Sequence, residues 1–286
     1  MANEKQKSYW TNLAKKKWLG IADEMDVRFA AINDALMQAS CLRTGENVLD
    51  IGCGTGATSL QAARHVGTQG RVRGVDVSPP MLDVARNLAL KSGLKTLDFI
   101  EADAQTDHPG LSADVLISRF GVMFFEDPLA AFTNLRRRAA PGARLAFAVW
   151  ADLDKNEHWH RPFELVKNLV GEGSVRRANA PGPLAFAEAG YVYGLLSQAG
   201  WKTVHVQEQS VDLMGESLKR EAQIACILGP SGALLEEKQA DETILKMAEE
   251  LFFKSLPDYA KILPDGRVSL PASINIITAH LEPSAT

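Results

Sequence analysis

The sequence predicts an α/β protein built on a doubly wound, largely parallel sheet, and three observations carry that expectation. Short apolar runs alternate with stretches of helical periodicity between residues 43 and 150. The run Val48-Leu49-Asp50-Ile51 leads into Gly52-Cys53-Gly54-Thr55-Gly56, a buried strand ending on a carboxylate and a turn of alternating glycines. A length of 286 residues, 46% hydrophobic and 23% charged, suits one large domain with insertions and needs no disulfide or structural metal.

The elements follow in order. Ile21, Met25, Phe29, Ile32, Leu36 and Met37 recur at helical spacing within Trp18 to Leu42, so one amphipathic helix is expected there. Arg43 to Glu46 turns into the first strand, and Ala57 to Val66 reads as a helix whose free amides face the glycine turn. Arg71 to Val77 is a second strand, and Ser78-Pro79-Pro80 caps a helix from Met81 to about Lys91. Further strands are expected over Leu97 to Ile100, Ala113 to Ser118 and Arg144 to Trp150, with a helix from Leu129 to Ala139 stopped by Pro141-Gly142.

Beyond Trp150 the pattern changes. Asp152 to His160 is polar and aromatic and reads as a loop, Phe163 to Val170 is helical, and Gly171 to Pro183 has the glycine and proline content of a lid. Helices over Ala187 to Ala199, Leu218 to Leu228 and Leu234 to Leu256 and strands over Thr203 to Leu213 and Ser273 to Leu281 complete the chain. The last strand, reached through two helices, is expected antiparallel at the sheet end. The expected organisation is a single domain: a helical cap over residues 1–42, a core over 43–150, and insertions over 151–200 and 214–271.

Composition narrows the partners. A formal net charge of −4 gives no global attraction to nucleic acid, and the basic runs Lys15-Lys16-Lys17 and Arg136-Arg137-Arg138 read as solvated faces. Cys41, Cys53 and Cys226 form no CxxC pair, which argues against a zinc site and for a reducing compartment. The polar start MANEKQKSYW lacks the apolar stretch of a signal peptide, and no long apolar run spans a membrane, so a cytoplasmic location is expected.

The glycine turn calls for a nucleotide-like ligand, and three features choose among ligands. Asp76 ends the second strand, where a carboxylate can accept both hydroxyls of a ribose. Because Gly52-x-Gly54-x-x-Ala57 also fits a relaxed dinucleotide fingerprint, that pairing alone decides little. Asp50, directly before the glycines, suits a ligand with a cationic amino group and a sulfonium rather than a pyrophosphate. Asp103-Ala104-Gln105 can read an adenine edge, and no second mononucleotide-binding half follows the fifth strand. Together these point to S-adenosylmethionine.

The segments VLDIGCGTG, GVDVSPPML, EADAQ, SRFGVMFFEDPLAAFTNLRR, PGARLAFAVW and GPLAFAEAG resemble the bacterial class I S-adenosylmethionine-dependent methyltransferases of the ubiquinone-methyltransferase-like type 11. The resemblance runs from about Tyr9 to the C-terminus and is strongest from Val48 to Trp150. It implies a seven-stranded Rossmann-like sheet with the last strand antiparallel, a ribose on Asp76, an adenine held by Val77, Asp103 and Ala104, and a methionine moiety near Asp50, Gly52 and Gly54. Cys53 and Gly56 in the turn, Met81 on the next helix, and Ser118 and Arg119 at the end of the fourth strand complete the expected cofactor contacts. The stretch Lys155 to His160 departs from the family pattern.

Methyl transfer from a sulfonium is an in-line displacement that asks the protein mainly to position two partners, so no strong catalytic signature is required. The expected acceptor is a small apolar or aromatic metabolite methylated at O, N or C. No Asn/Asp-Pro-Pro-aromatic motif and no Pro-Cys pair stands where enzymes that methylate bases carry theirs. Candidate acceptor contacts are Tyr9, Trp10, Trp18, Phe120, Met123, Trp150 and Trp159, with Arg119 and His158 as candidate catalytic groups. Two alternatives stay open: a member that holds the cofactor without transferring methyl, and a nicotinamide-dependent oxidoreductase. No tyrosine among Tyr9, Tyr191, Tyr193 and Tyr259 has a lysine four residues on, which removes the short-chain dehydrogenase form of the latter.

Overall fold

The computed structural model describes residues 3–13, 17–108, 110–175 and 177–283. Lys15 and Lys16 of the first basic run, and Arg176 in the expected lid, lie outside them. Strands β1 (Asn47–Ile51), β2 (Arg71–Asp76), β3 (Leu97–Glu101), β4 (Ala113–Arg119) and β5 (Ala139–Trp150) pair in parallel, with β3 at one edge. Val48, Leu49, Ile51, Val115, Leu116 and Ile117 are fully buried, as strands covered by helices on both faces must be. Helices α1 (Glu4–Ser8), α2 (Ala22–Arg28) and α3 (Ala30–Ser40) precede β1; α4 (Ala57–Val66), α5 (Pro79–Ser92) and α6 (Pro128–Arg138) cross between strands.

The C-terminal part adds α7 (Glu157–Val170), α8 (Ala189–Gln198), β6 (Lys202–Gly215), α9 (Leu218–Ile227), α10 (Gly229–Glu237), α11 (Glu242–Ser255), the two-residue β7 (Lys261–Ile262) and β8 (Val268–His280). The sheet order is β3-β2-β1-β4-β5-β8-β6, with β7 paired to β8. β8 is antiparallel to both neighbours, as expected, but it inserts between β5 and β6, so β6 rather than β8 forms the edge.

Four boundaries differ from the sequence reading. The first helix breaks at Phe29, whose backbone (φ −96°, ψ 14°) leaves the helical range and turns α3 away from α2. The expected helix over 234–256 is two helices, divided where Gln239 takes φ 52° and where the Asp241 carboxylate accepts the Ile244 N–H to start α11. Pro141-Gly142 does not stop a helix but sits in an irregular stretch of β5, where the pairing with β4 shifts between Ala113 and Val115. The stretch Glu157 to His160, read as loop, is the first turn of α7, with Pro162 tolerated inside that helix.

Two polar clamps fix these elements. Arg144 donates to the Ser40 and Cys41 carbonyls (2.8 and 2.6 Å), which end α3, and to both Glu46 oxygens (2.8 Å each). Fully buried Asn156 begins α7: its Oδ1 accepts the Ser273 N–H (2.9 Å), and its Nδ2 donates to the Ser273 and Asp152 carbonyls (3.1 and 3.0 Å). That clamp ties α7 to β8 and sets where its aromatic first turn points. Asn156→Ala strands these groups without partners and is expected to cost about 2–3 kcal/mol, read as a lower urea midpoint at unchanged slope.

Candidate active site

Three glycines make the turn after β1, each for its own reason. All take positive φ: 64° at Gly52, 53° at Gly54 and 91° at Gly56. A Cβ on Gly52 would lie 2.6 Å from the Gly121 Cα, so β1 and the segment after β4 meet backbone to backbone. A Cβ on Gly56 would lie 2.8 Å from the Phe99 ring, so this glycine serves packing. At Gly54 nothing lies within 4 Å of the Cβ position, and the residue opens onto a cavity of about 730 Å³, a size typical of ligand sites.

Gly52, Cys53 and Gly54 share that cavity wall with Asp76, Val77, Met81, Asp103 and Ala104. Asp76 Oδ2 accepts the Gly54 N–H and Oδ1 the Ser78 N–H, both at 2.9 Å. Burial raises the Asp76 pKa, opposed by these backbone donors. Asp103 Oδ1 accepts the Gln105 N–H (2.9 Å) and the Asn3 side-chain amide (3.2 Å), which brings the N-terminal segment onto the same wall. Burial pushes the Cys53 thiol up, as befits a packing residue rather than a nucleophile.

Asp50, Gly56 and Ser118 stand behind this wall rather than on it. Asp50 is buried and accepts the Ser59 hydroxyl proton at 2.5 Å, while its Oδ1 has no hydrogen-bond partner among the described residues. Burial pushes its pKa up to about 7, against the pull of Ser59 and of the Arg119 charge. The Ser118 hydroxyl is spent on the Ile51 carbonyl (2.7 Å) and accepts the Val122 N–H (3.3 Å), so it braces β4 against β1. Arg119 does reach the cavity, paired with Asp26 of α2 at 3.0 Å and lying 5.8 Å from the centre of the Phe29 ring.

An aromatic cluster adjoins Arg119 through Phe29. Phe120 holds φ 68°, a left-handed backbone that a bulky residue adopts only when its surroundings enforce it. Its ring stacks on Trp150 at 4.6 Å and 9°, and Phe29 meets both rings edge-on. Trp159 lies 4.5 Å from Trp150, and Met123 is buried in the same wall. Tyr9, Trp10 and Trp18 line the cavity from the N-terminal segment: Trp10 packs on Tyr9, Trp18 and Phe124, and its carbonyl accepts the Ser78 hydroxyl at 3.1 Å. All seven expected acceptor contacts therefore come together.

His158 is not a solvated loop residue: it is buried on α7 and lines the cavity. Its ring nitrogens are shut off from solvent, and the Pro271 backbone carbonyl is the one group that acts on the ring as a hydrogen-bond partner among the described residues. Burial and the nearby Arg28 charge hold it well below the usual histidine range, hence neutral. Arg28 of α2 pairs with Glu221 of α9 at 2.5 Å, nearly out of solvent, and Tyr259 adds a buried hydroxyl. Sequence reasoning missed these three, since nothing local marks two charges 193 residues apart as a buried pair.

The methyltransferase domain family matches residues 42–220, well over half of the sequence. The chain belongs to that family. It is 38% identical over 120 residues to "Aklanonic acid methyltransferase DauC" of Streptomyces sp. (strain C5), covering 42% of this chain and 54% of that protein. To "Ubiquinone/menaquinone biosynthesis C-methyltransferase UbiE" of Cellvibrio japonicus it is 37% identical over 111 residues, covering 38% of this chain and 45% of that protein. The chain thus spans about half the length of these relatives. Among solved structures, a SAM-dependent methyltransferase from Aquifex aeolicus superposes with a TM-score of 0.50 at 22% identity, over 70% of this chain and 92% of that one. The fold is shared with this structure, and the family's matched span takes in the whole glycine turn, Asp76 and Asp103.

Two buried groups give stability opposite pH dependences. His158 takes up a proton only on unfolding, so the stability it allows is complete above about 6.5 and falls as pH drops below that value. Asp50 has its folded pKa raised from 3.8 to about 7, so its contribution is present below 3.8 and is lost as pH rises through 7. Denaturant unfolding from pH 5 to 8 is expected to show His158→Gln removing the loss below about pH 6.5 and Asp50→Asn removing the loss that accrues as pH rises to about 7.

Proposed function

We propose that this chain transfers a methyl group from S-adenosylmethionine to a small, apolar or aromatic metabolite. The observation that carries the reading is one cavity wall uniting an open Gly54, whose missing Cβ leaves a cradle, with the carboxylates of Asp76 and Asp103. A nucleoside with two ribose hydroxyls and an adenine edge fits that donor and acceptor set, with Asp76 as the ribose ligand and Val77, Asp103 and Ala104 around the base. The relatives named for methyl transfer and the family match support the same reading.

When bound, the cofactor supplies an electrophilic methyl group. The chain's own part is placement: Gly52 and Gly54 allow close backbone approach, and Met81 and Cys53 give the cradle an apolar floor. Phe120, Trp150 and Trp159 exclude water from the acceptor and offer ring faces to a sulfonium, an attraction of roughly 0.5–2 kcal/mol. Arg119, neutralised by Asp26, orients the aromatic wall rather than handling a proton. The proposed division of labour has residues 43–150 holding the cofactor, with residues 1–42, 151–200 and 214–271 shaping the acceptor side of a single domain. Among the described residues no helix is long and apolar enough to cross a membrane; together with the net charge of −4, the proposed setting is the cytoplasm, without nucleic-acid partners.

Calorimetry with S-adenosylmethionine and S-adenosylhomocysteine tests this. Both are expected to bind one site per chain, and Asp76→Ala to weaken them at least about 30-fold, the loss of two hydrogen bonds to a charged group. Absence of binding, or unchanged binding in Asp76→Ala, contradicts the proposal.

A further inference from the structure

At one place on the cavity wall an indole lies against bare backbone. Trp159 of α7 and Gly229, where α9 gives way to α10, both line the cavity. A Cβ on Gly229 would lie 2.8 Å from the Trp159 Nε1, 3.0 Å from its Cδ1 and 3.2 Å from its Cε2. All three atoms belong to one rigid ring, so the ring as a whole would have to give way. Gly229 also holds φ 71°, a left-handed backbone that residues with a Cβ rarely adopt.

Neither partner is free to back away from this seam. On the Gly229 side Pro230 starts α10, the Ser231 hydroxyl donates to the Ala225 carbonyl at 2.6 Å, and a Cβ on Gly232 would lie 2.5 Å from the Ile227 carbonyl carbon. The turn between α9 and α10 is therefore packed backbone to backbone. On the other side, the backbone N–H of Trp159 donates to the carbonyl of Asn156 (2.8 Å), the residue clamped to Ser273 of β8, so the root of the indole is fixed. Only the side-chain torsions of Trp159 are left to move. Trp150 blocks one direction, its ring centre 4.5 Å away and itself stacked on Phe120, and the cavity lies in the other.

We propose that Gly229 sets the size of acceptor that this cavity admits. Without a side chain it seats the Trp159 indole against the α9–α10 turn and keeps the space beside Trp150 clear; a side chain there turns the indole into that space. The proposal rests on the methyl-transfer reading and adds to it what limits the acceptor. Gly229 is a positioning residue that acts through Trp159. A displaced ring takes width from the acceptor side, so the loss falls on broad ligands more than on narrow ones.

Two measurements on the full chain test this. Urea unfolding of the unsubstituted protein, Gly229→Ala, Trp159→Ala and the double variant reads the contact without any ligand, and the strained φ, common to both backgrounds, cancels in the cycle. Gly229→Ala is expected to lower the midpoint at least about twice as far with Trp159 present as without it. Equal shifts, loss of folding in both backgrounds included, would overturn the seating. Equilibrium dialysis with phenol and 9-phenanthrol, one ring against three, reads the space. Gly229→Ala is expected to weaken 9-phenanthrol at least about 10-fold and phenol less than about 2-fold, and in the Trp159→Ala background to change 9-phenanthrol binding less than about 2-fold. Equal losses for both probes, the same loss of 9-phenanthrol with and without Trp159, or no binding of 9-phenanthrol to the unsubstituted chain would overturn the size control. S-adenosylhomocysteine calorimetry on the unsubstituted chain keeps the two readings apart: no binding there sinks the cofactor assignment, while both cycles still read the seam.

Discussion

Two backbones touching at Gly52 and Gly121 organise the carboxyl edge of this sheet. A Cβ on Gly121 would lie 2.5 Å from the Ile51 carbonyl and 2.7 Å from the Gly52 Cα, so neither side of the contact admits a side chain. The approach holds the turn after β1 against the turn after β4, and the Ser118 hydroxyl on the Ile51 carbonyl reinforces it. Phe120, just before Gly121, is forced into the left-handed region and is retained by its N–H bond to the Ala148 carbonyl (2.9 Å) and by stacking on Trp150. The glycine turn and the aromatic wall are thereby built from one contact, which places the open Gly54 and the Asp76 carboxylate beside the Phe120 and Trp150 rings on one cavity.

The other constraint is electrostatic. Arg28 and Glu221 are drawn almost completely out of water, where pairing roughly offsets desolvation and adds little stability. Such a pair is better understood by what it does to its surroundings. Its Arg28 charge adds to the burial that keeps His158 neutral, and, with Lys17 and Arg119 paired elsewhere, it leaves the inner cavity without a free cation among the described residues. It also joins α2, ahead of the sheet, to α9, after β6, so the cavity is closed by elements distant in sequence.

Much of the central sheet was legible because its signals are local. β1 to β4 and α4 to α6 fall within two residues of their expected limits, since apolar runs, proline starts and glycine stops are read over a few positions. Of the expected cofactor contacts, those set by the strand ends, Gly52 to Gly54, Asp76 and Asp103, do share one wall, whereas Asp50, Gly56 and Ser118 proved to brace it. Strand position fixes where a residue sits, but which side of the turn its side chain takes depends on partners such as Ser59 and Phe99. The acceptor end was harder. The seven aromatic and apolar candidates were found by type, while nothing local singles out Arg28, Glu221 or Tyr259, and His158 read as a loop residue, because their positions on the cavity arise from packing between α2, α7, α9 and the segment after α11.

A crystal structure of the chain with S-adenosylhomocysteine tests the central claim most directly. The ribose hydroxyls are expected on the Asp76 carboxylate, the adenine edge at Asp103 and Ala104, and the sulfur facing the Phe120 and Trp150 rings across the Gly52 to Gly54 turn. A ligand bound away from that turn, or one whose ribose leaves Asp76 uncontacted, would contradict it.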